Sequence, residues 1–238
     1  MTNHNLLLLS NSTMPGETYF QWALQYLKQF LADSKGYVAF IPYAAVGFSY
    51  AEYEQKLAQA WAGLNLQVKS VHHAPDKRSL IENASAIAVG GGNSFALLNK
   101  LYEEDLMGVI RSNVAAGKPY IGWSAGSNMA CPTLKTTNDM PIVQPPSFEA
   151  LNLIHFQINP HYTEQRIPNH GGESRVERIK EFLAINQSVK VLGLPEGMLL
   201  RKTGNKLMLE GNGEAVVFNY GADPTKIKSS TDLSKLLH

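Results

Sequence analysis

The sequence predicts an α/β protein with a doubly wound, mostly parallel sheet. Short apolar runs alternate with segments of helical spacing, and glycine-rich turns follow two of those runs. The apolar run 6–9 is typical of a strand buried on both faces. Segment 20–31 carries apolar residues three and four apart, as in a helix that packs one face on a sheet.

The first half of the chain repeats this alternation. We expect strands at 6–9, 37–42, 66–71, 86–89 and in the apolar stretch that ends at Trp123. We expect helices at 20–31, 50–64, 80–84, 95–101 and 107–116. Parallel strands need such crossover helices between them, so this order favours a parallel sheet.

The second half is less regular. Strands are expected at 156–158 and 189–192, with a helix at 173–184 between them. Three short apolar segments then follow, separated by Gly and Asn: 198–201, 206–209 and 215–218. They predict short C-terminal antiparallel strands in a meander. The sequence contains no repeat, low-complexity tract or clear linker, so residues 1–238 are interpreted as a single α/β domain.

Composition limits the partners of the chain. Of its 238 residues, 44% are hydrophobic and 17% charged, and the net charge is +1 without basic runs. Neither nucleic acid nor a membrane surface is therefore expected as a partner. The N-terminal apolar run is too short for a signal peptide or a membrane span, and the single Cys131 forbids an internal disulfide. A cytoplasmic location is expected.

The segment Gly122-Trp123-Ser124-Ala125-Gly126 is where we expect the chemistry. A buried strand that breaks into a helix through Gly-x-Ser-x-Gly is a nucleophile elbow, which exposes its serine on a tight turn. Ser124 is therefore the candidate nucleophile. By itself the pattern also fits a glycine-rich turn with an incidental serine.

A second glycine-rich turn, Gly90-Gly91-Gly92-Asn93, follows the predicted strand 86–89. It lacks the Gly-Lys-Ser/Thr of a phosphate-binding P-loop and the spacing of a dinucleotide fingerprint. We therefore expect an oxyanion loop, in which Gly91 or Gly92 supplies one N–H donor and Ala125 the other. Asn93 is a candidate substrate ligand through its amide, although it could instead cap the following helix.

A serine nucleophile needs a base and an acid that orients the base. His161 is our candidate base because it follows a predicted strand end, where parallel sheets present their functional groups. Asp139 and Glu196 are both candidates for the acid, and their spacing in the sequence does not separate them. Cys131 is a weaker rival nucleophile that we interpret as a buried structural thiol.

The adjacent histidines His72 and His73 raise the question of a metal site. No carboxylate or cysteine lies at ligand spacing from them in the sequence, so we expect them to be surface residues. No metal and no cofactor is expected.

Taken together, the motifs resemble those of the peptidase E family of α-aspartyl dipeptidases. The resemblance covers most of the chain, in the same order, up to about residue 223. Its motifs are Gly90-Gly91-Gly92-Asn93, Gly122-Trp123-Ser124-Ala125-Gly126, Cys131-Pro132-Thr133, the segment 136–143, the segment 157–161 and Gly193-Leu194-Pro195-Glu196-Gly197.

The resemblance implies a cytoplasmic serine peptidase that hydrolyses dipeptides with an N-terminal aspartate, without metal or cofactor. The implied fold is similar to that of class I glutamine amidotransferases, in which a cysteine occupies the elbow. Carried over by motif, Ser124 is the nucleophile and His161 the base. Both Asp139 and Glu196 match acids that have been assigned as the third member, so that alternative stays open.

Two further positions follow from the resemblance. Arg175 lies in a segment similar to the arginine-bearing segment of the family, and we expect it to bind the β-carboxylate of the substrate by a planar two-point contact. Ser127 departs from the family, since a small apolar residue is expected there. It could alter the packing beside the elbow.

Three alternatives remain at this point. A cyanophycinase-like enzyme that cuts β-aspartyl bonds would use the same machinery with a different pocket. An esterase of the α/β-hydrolase class is disfavoured because its Ser, Asp and His usually span far more chain. A binding protein that has kept the fold without the chemistry is disfavoured by the presence of both Ser124 and His161.

Overall fold

A computed structural model describes residues 4–166, 169 and 171–237. Strands occupy most of the apolar runs of the sequence. They are β1 (Asn5–Leu9), β2 (Tyr37–Ile41), β3 (Gln67–Ser70), β4 (Ala86–Val89), β5 (Tyr120–Trp123), β6 (Gln157–Pro160), β7 (Val191–Leu194), β8 (Met198–Thr203), β9 (Lys206–Gly211), β10 (Glu214–Phe218) and β11 (Thr225–Lys228).

The helices lie between the strands, as the alternation predicts. They are α1 (Leu24–Phe30), α2 (Tyr50–Ala60), α3 (Lys77–Asn83), α4 (Ser94–Glu103), α5 (Met107–Ala115), α6 (Ala125–Met129) and α7 (Arg175–Ile185). Ser49 begins α2 with a capping box closed by Glu52, and Ser174 begins α7 in the same way with Glu177. Within the described ranges, no helix combines the length and apolarity that crossing a membrane requires.

The main sheet has seven strands in the order β3-β2-β4-β5-β1-β8-β9. The strands from β3 to β1 run parallel, with Leu7 opposite Ile121 and Ile87 opposite Tyr120. Strands β8 and β9 extend the sheet in antiparallel fashion. The prediction of a doubly wound, mostly parallel sheet is confirmed.

A second sheet corrects the predicted C-terminal meander. It has four strands in the order β11-β10-β7-β6, so β10 pairs with β7 instead of continuing the β8–β9 hairpin. Tertiary pairing overrides sequence adjacency here. Strand β11 was not predicted, because its sequence Thr-Lys-Ile-Lys is largely exposed and has only one apolar residue.

Both faces of the main sheet are buried, which explains its continuous apolar strands. Leu6 and Leu8 belong to one hydrophobic cluster, and Leu7 and Leu9 belong to the cluster on the opposite face. The first cluster also contains residues of β6, β7 and β10, so one face of the second sheet packs against the main core.

The strand order brings three loops together. Strands β4, β5 and β1 are neighbours and parallel, so the loops that follow them lie at one edge of the sheet. The buried Ser10 hydroxyl, just after β1, donates a 2.8 Å hydrogen bond to Leu194 O at the end of β7. The second sheet therefore reaches the same edge, where α/β proteins bind their ligands.

Ser127 has a structural explanation. Its side chain is fully buried, and its hydroxyl lies within donor distance of Leu9 O (2.7 Å) and Gly122 O (2.9 Å). The hydroxyl therefore links α6 to β1 and β5 instead of being an unpaired polar group in the core.

We expect Ser127→Ala to lower the free energy of unfolding by about 1 kcal/mol, the usual net value of one buried hydrogen bond. Urea unfolding of the variant would measure this, with the exposed Ser188→Ala as the matched control. An unchanged unfolding midpoint for Ser127→Ala would contradict this interpretation.

Candidate active site

Ser124 occupies the turn between β5 and α6. Its φ of 52° and ψ of −112° lie outside the regions that side chains prefer. A residue held in such a conformation stores strain of roughly 1–3 kcal/mol, which the surrounding packing must offset. The turn leaves Ser124 partly exposed, whereas its neighbours Trp123 and Ala125 are buried.

The two glycines of the elbow are required by backbone contacts. A Cβ atom on Gly122 would lie 2.4 Å from Gly126 O, and one on Gly126 would lie 2.1 Å from Val89 O. Real Cβ atoms do not approach a carbonyl oxygen so closely. The Gly-x-Ser-x-Gly spacing therefore allows α6 to pack directly on β4 and β5.

His161 lies opposite Ser124, at the end of β6. Its Nε2 atom is 2.8 Å from Ser124 Oγ. Its backbone has a φ of 52°, in the left-handed region, and its N–H donates a 2.8 Å hydrogen bond to Ser10 Oγ. Ser10 thus fixes the backbone from which the imidazole projects.

Strand β6 is also tied to the segment that follows the elbow. The Asn128 side chain, on α6, and the Thr136 hydroxyl each donate a 2.9 Å hydrogen bond to Ile158 O. Because Ile158 and His161 are on the same short segment, these bonds fix the separation of Ser124 and His161.

Glu196 contacts the other nitrogen of His161. The distance from Glu196 Oε1 to His161 Nδ1 is 2.6 Å. Glu196 belongs to the turn after β7, and the next residue, Gly197, donates its N–H to Asn11 Oδ1 at 2.9 Å. The structure therefore contains a continuous hydrogen-bonded chain from Ser124 through His161 to Glu196.

Asp139, the other candidate acid, has different partners. Its carboxylate accepts a 2.7 Å hydrogen bond from Ser94 N–H, and it also bonds the Ser94 and Thr137 hydroxyls. Ser94 is the first residue of α4. A carboxylate that accepts an N–H in the first turn of a helix acts as a cap.

The glycine loop lies directly beside the elbow. A Cβ atom on Gly91 would lie 2.9 Å from the Trp123 ring and 3.1 Å from Ser124 Cβ. The Tyr53 hydroxyl, from α2, donates to Gly91 O at 2.9 Å and accepts from Trp123 Nε1 at 3.1 Å. Burial raises the pKa of Tyr53 to about 12, so this hydroxyl stays protonated and keeps donating.

The backbone N–H groups of Gly91, Gly92 and Ala125 are the candidate oxyanion donors. Among the described residues, neither Gly91 nor Gly92 donates its N–H to a backbone or side-chain acceptor. Ala125 opens α6, where an N–H has no partner within the helix. A Cβ on Gly92, which has a φ of 133°, would lie 2.2 Å from Ala44 O.

Both polar ends of the Asn93 amide are engaged within the protein. Its Oδ1 accepts from Ala96 N–H at 3.0 Å, which caps α4, and its Nδ2 donates to Met140 O at 2.9 Å. The side chain therefore joins α4 to the loop around Met140, and its cap of α4 is the alternative role expected from the sequence.

A cavity of about 240 Å³ opens over Ser124. Ser124, His161 and Glu196 line it together with Gly91 and Gly92. The volume is slightly below the usual range for small-molecule pockets, so the cavity suits a short ligand. The remaining lining residues are Asn11, Ser12, Thr13, Tyr19, Phe48, Tyr53, Lys56 and Trp123.

Arg175 lines a separate cavity of about 300 Å³, which shares none of its described lining residues with the one over Ser124. Its guanidinium donates to Asn138 Oδ1, and the Asn138 amide donates to Pro160 O at 2.7 Å. Asn138 thus connects Arg175 to the residue before His161. The structure brings Arg175 near the histidine segment, but not into the cavity over Ser124.

The charge of Arg175 has no anionic partner among the described residues. Arg166 and Arg178 pair with Glu177 and Glu173, respectively. Burial and the neighbouring Arg178 lower the pKa of Arg175. A partly buried guanidinium without a counterion favours an anionic ligand.

Cys131 is fully buried, and burial raises the pKa of its thiol to about 12. The sulfur accepts a hydrogen bond from Ile158 N–H at 3.2 Å. A thiol that stays protonated and enclosed is a poor nucleophile, which agrees with its interpretation as a structural residue.

Three residues of the site were missed from the sequence: Ser10, Tyr53 and Asn138. The position of Ser10 just after a buried strand was a usable signal, because parallel strands place functional groups at that end. Tyr53 and Asn138 act through contacts with residues distant in the chain, and no local pattern marks them.

Comparison with known proteins decides the family. The profile of Peptidase family S51 matches residues 6–209. The chain belongs to peptidase family S51. It is therefore a peptidase, and the site over Ser124 is the candidate active site of a peptide-bond hydrolase.

Relatives in family S51 match over nearly their whole length. Peptidase E of Nostoc sp. is 47% identical over 232 residues, which are 98% of this chain and 96% of that protein. Peptidase E of Actinobacillus pleuropneumoniae serotype 5b is 47% identical over 216 residues, 90% of this chain and 92% of that protein. The crystal structure of a peptidase from an acI-B1 actinobacterium aligns with this protein over 98% of each chain, with a TM-score of 0.71. At 18% sequence identity, this alignment shows a shared fold.

Proposed function

We propose that the chain is a serine-type dipeptidase that hydrolyses dipeptides with an N-terminal aspartate through an acyl-enzyme. The observation that carries this proposal is the chain of short hydrogen bonds, with Ser124 Oγ 2.8 Å from His161 Nε2 and His161 Nδ1 2.6 Å from Glu196 Oε1. These three groups match the roles of nucleophile, base and orienting acid.

Acylation begins when Ser124 Oγ attacks the carbonyl carbon of the peptide bond while His161 Nε2 takes the hydroxyl proton. The protonated imidazole then donates that proton to the leaving amine as the C–N bond breaks. A water molecule, deprotonated by His161, then attacks the resulting ester. The imidazolium returns that proton to Ser124 Oγ as the C–O bond breaks, which releases aspartate and regenerates the serine hydroxyl.

The tetrahedral intermediate carries an oxyanion that needs preorganised donors. Ala125 N–H and an N–H of Gly91 or Gly92 are available beside Ser124, and Tyr53 holds the glycine loop in place. Removal of one such donor typically costs 10²–10³ in rate. The proposed reaction uses only protein groups and water, without metal or cofactor.

Glu196 is the proposed acid of the triad. Hydrogen bonding from His161 Nδ1–H to the carboxylate leaves Nε2 unprotonated toward Ser124, and the negative charge stabilises the imidazolium that forms. We propose a structural role for Asp139, because its carboxylate caps α4.

Arg175 supports aspartate as the substrate residue. The Arg175 guanidinium has no anionic partner among the described residues and is linked through Asn138 to the residue before His161. In the proposed complex it binds the β-carboxylate of an N-terminal aspartate. The α-aspartyl dipeptidase family that the sequence motifs resemble supports the same substrate class, and relatives named peptidase E match this chain over nearly its whole length. We propose a cytoplasmic location as well.

A cyanophycinase-like β-aspartyl peptidase is the second candidate. It would use the same serine, histidine and oxyanion groups, and only the position of the scissile bond relative to the anchored carboxylate would differ.

Hydrolysis of α-linked and β-linked Asp-Leu distinguishes the two functions. We expect purified protein to cleave the α isomer faster, by on the order of tenfold or more in kcat/KM, and Ser124→Ala to lower kcat by several orders of magnitude. Circular dichroism would verify that the variant is folded. Faster cleavage of the β isomer would overturn our assignment in favour of the second candidate.

The two acids can be separated by matched amide substitutions. We expect Glu196→Gln to lower kcat by roughly 10²–10⁴, because a neutral amide cannot stabilise the imidazolium. Asp139→Asn should keep kcat within the same order of magnitude and lower the unfolding midpoint slightly. Steady-state kinetics on Asp-Leu and urea unfolding provide the measurements. A larger kcat loss in folded Asp139→Asn than in Glu196→Gln would refute the assignment of the acid.

Arg175→Lys tests the aspartate pocket. Loss of the planar contact should lower kcat/KM for Asp-Leu by about 10- to 150-fold, which corresponds to the usual free energy of a hydrogen bond to a charged group. For the neutral isostere Asn-Leu, kcat/KM should hardly change. Arg178→Lys, on the same helix and largely exposed, is the control. An equal loss on both substrates would indicate a structural role instead.

A further inference from the structure

A second group of chemically active side chains lies at the edge of the main sheet, away from Ser124. Glu54 projects from α2, and His72 and His73 form the turn that follows β3. One ligand atom from each of these three residues lies within 4.8 Å of the others. Sequence spacing did not reveal the cluster, because the carboxylate comes from a helix that precedes the strand.

Two of the three distances within this cluster match those between ligands of a tetrahedral ion, and the third is no longer than 4.8 Å. His72 Nε2 and His73 Nδ1 are 3.2 Å apart, and His73 Nδ1 is 3.5 Å from Glu54 Oε2. Zinc–ligand bonds of about 2.0–2.2 Å in tetrahedral geometry place neighbouring ligand atoms roughly 3.3–3.5 Å apart. The two ligand atoms that flank His73 Nδ1 are therefore at separations that a tetrahedral ion would require.

Ser70 holds two of the three side chains in this arrangement. Its N–H donates to Glu54 Oε1 at 2.7 Å, which leaves Oε2 to face the histidines. Its hydroxyl is 2.6 Å from His72 Nδ1, so Nε2 is the nitrogen that faces the cluster. Metal-binding histidines usually have such a partner on their second nitrogen, which fixes the ring and its tautomer.

We propose that Glu54, His72 and His73 form a binding site for a divalent transition-metal ion of the zinc class. The ligands would be Glu54 Oε2, His72 Nε2 and His73 Nδ1, with water completing the tetrahedron. Two imidazole nitrogens favour zinc over magnesium or calcium, which prefer oxygen ligands.

The bound ion would stabilise the fold, not supply peptidase chemistry. It would join α2 to the turn after β3, and α2 also carries Tyr53, which supports the glycine loop. An ion that binds only the native state raises the unfolding temperature by mass action. The site is independent of the proposed reaction at Ser124.

The test is zinc binding by the full-length protein, purified without a histidine tag and stripped with EDTA. Calorimetric titration with ZnCl₂ should reveal one bound ion per chain. Thermal unfolding with and without ZnCl₂ should show a higher unfolding temperature for the zinc-bound protein. His73→Ala and Glu54→Gln should each weaken binding at least about 10- to 100-fold, the usual cost of losing even an outer-shell partner. His73 has 60% of its side chain exposed, so His73→Ala should fold normally without metal.

His155→Ala is the matched control, because His155 is an exposed histidine outside the cluster. It should bind zinc as the unsubstituted protein does. The proposal is overturned if the unsubstituted protein binds no zinc. It is also overturned if His73→Ala binds zinc with unchanged affinity, because the ion would then occupy another site such as His161 and Glu196.

Discussion

The contact between the elbow helix α6 and the backbone of β4 is the constraint on which the site depends. Gly126 lies so close to Val89 O that a Cβ atom there would be only 2.1 Å away, and a Cβ atom on Gly122 would be 2.4 Å from Gly126 O. This packing forces the chain to turn sharply at Ser124, at a φ of 52°. The strained turn exposes the hydroxyl at the edge where the parallel strands end.

The partners of Ser124 come from the second sheet, so the site depends on how the two sheets are joined. Ser10, after β1, accepts the N–H of His161 and donates to Leu194 O, which links β1 to the ends of β6 and β7. Asn128 links α6 to β6. These hydrogen bonds hold Ser124, His161 and Glu196 in contacts shorter than 3 Å. In the proposed reaction this preorganisation lowers the cost of reaching the transition state.

Charge distinguishes Arg175, the proposed substrate-binding residue, from the buried polar residues of the framework. Cys131 and Tyr53 are buried with raised pKa values, so both stay neutral and serve as hydrogen-bonding parts of the framework. Arg175 is partly buried without a carboxylate partner among the described residues, whereas its neighbours Arg166 and Arg178 are paired. The position of this cation beside the histidine segment supports the proposed anionic substrate.

The sequence alone determined the parallel sheet, the elbow and the position of His161, because these depend on local patterns: apolar runs, glycine spacing and the residue after a strand. It did not determine that β10 leaves the C-terminal hairpin to pair with β7, nor that β11 forms.

Only the tertiary structure distinguishes the contacts of Glu196 from those of Asp139. Both acids lie in loops of the sequence, yet Glu196 contacts His161 and Asp139 caps α4. It also brought Glu54 to His72 and His73. In each case the deciding contact joins segments that are far apart in the chain, and such contacts are set by the packing of whole elements, not by any local periodicity.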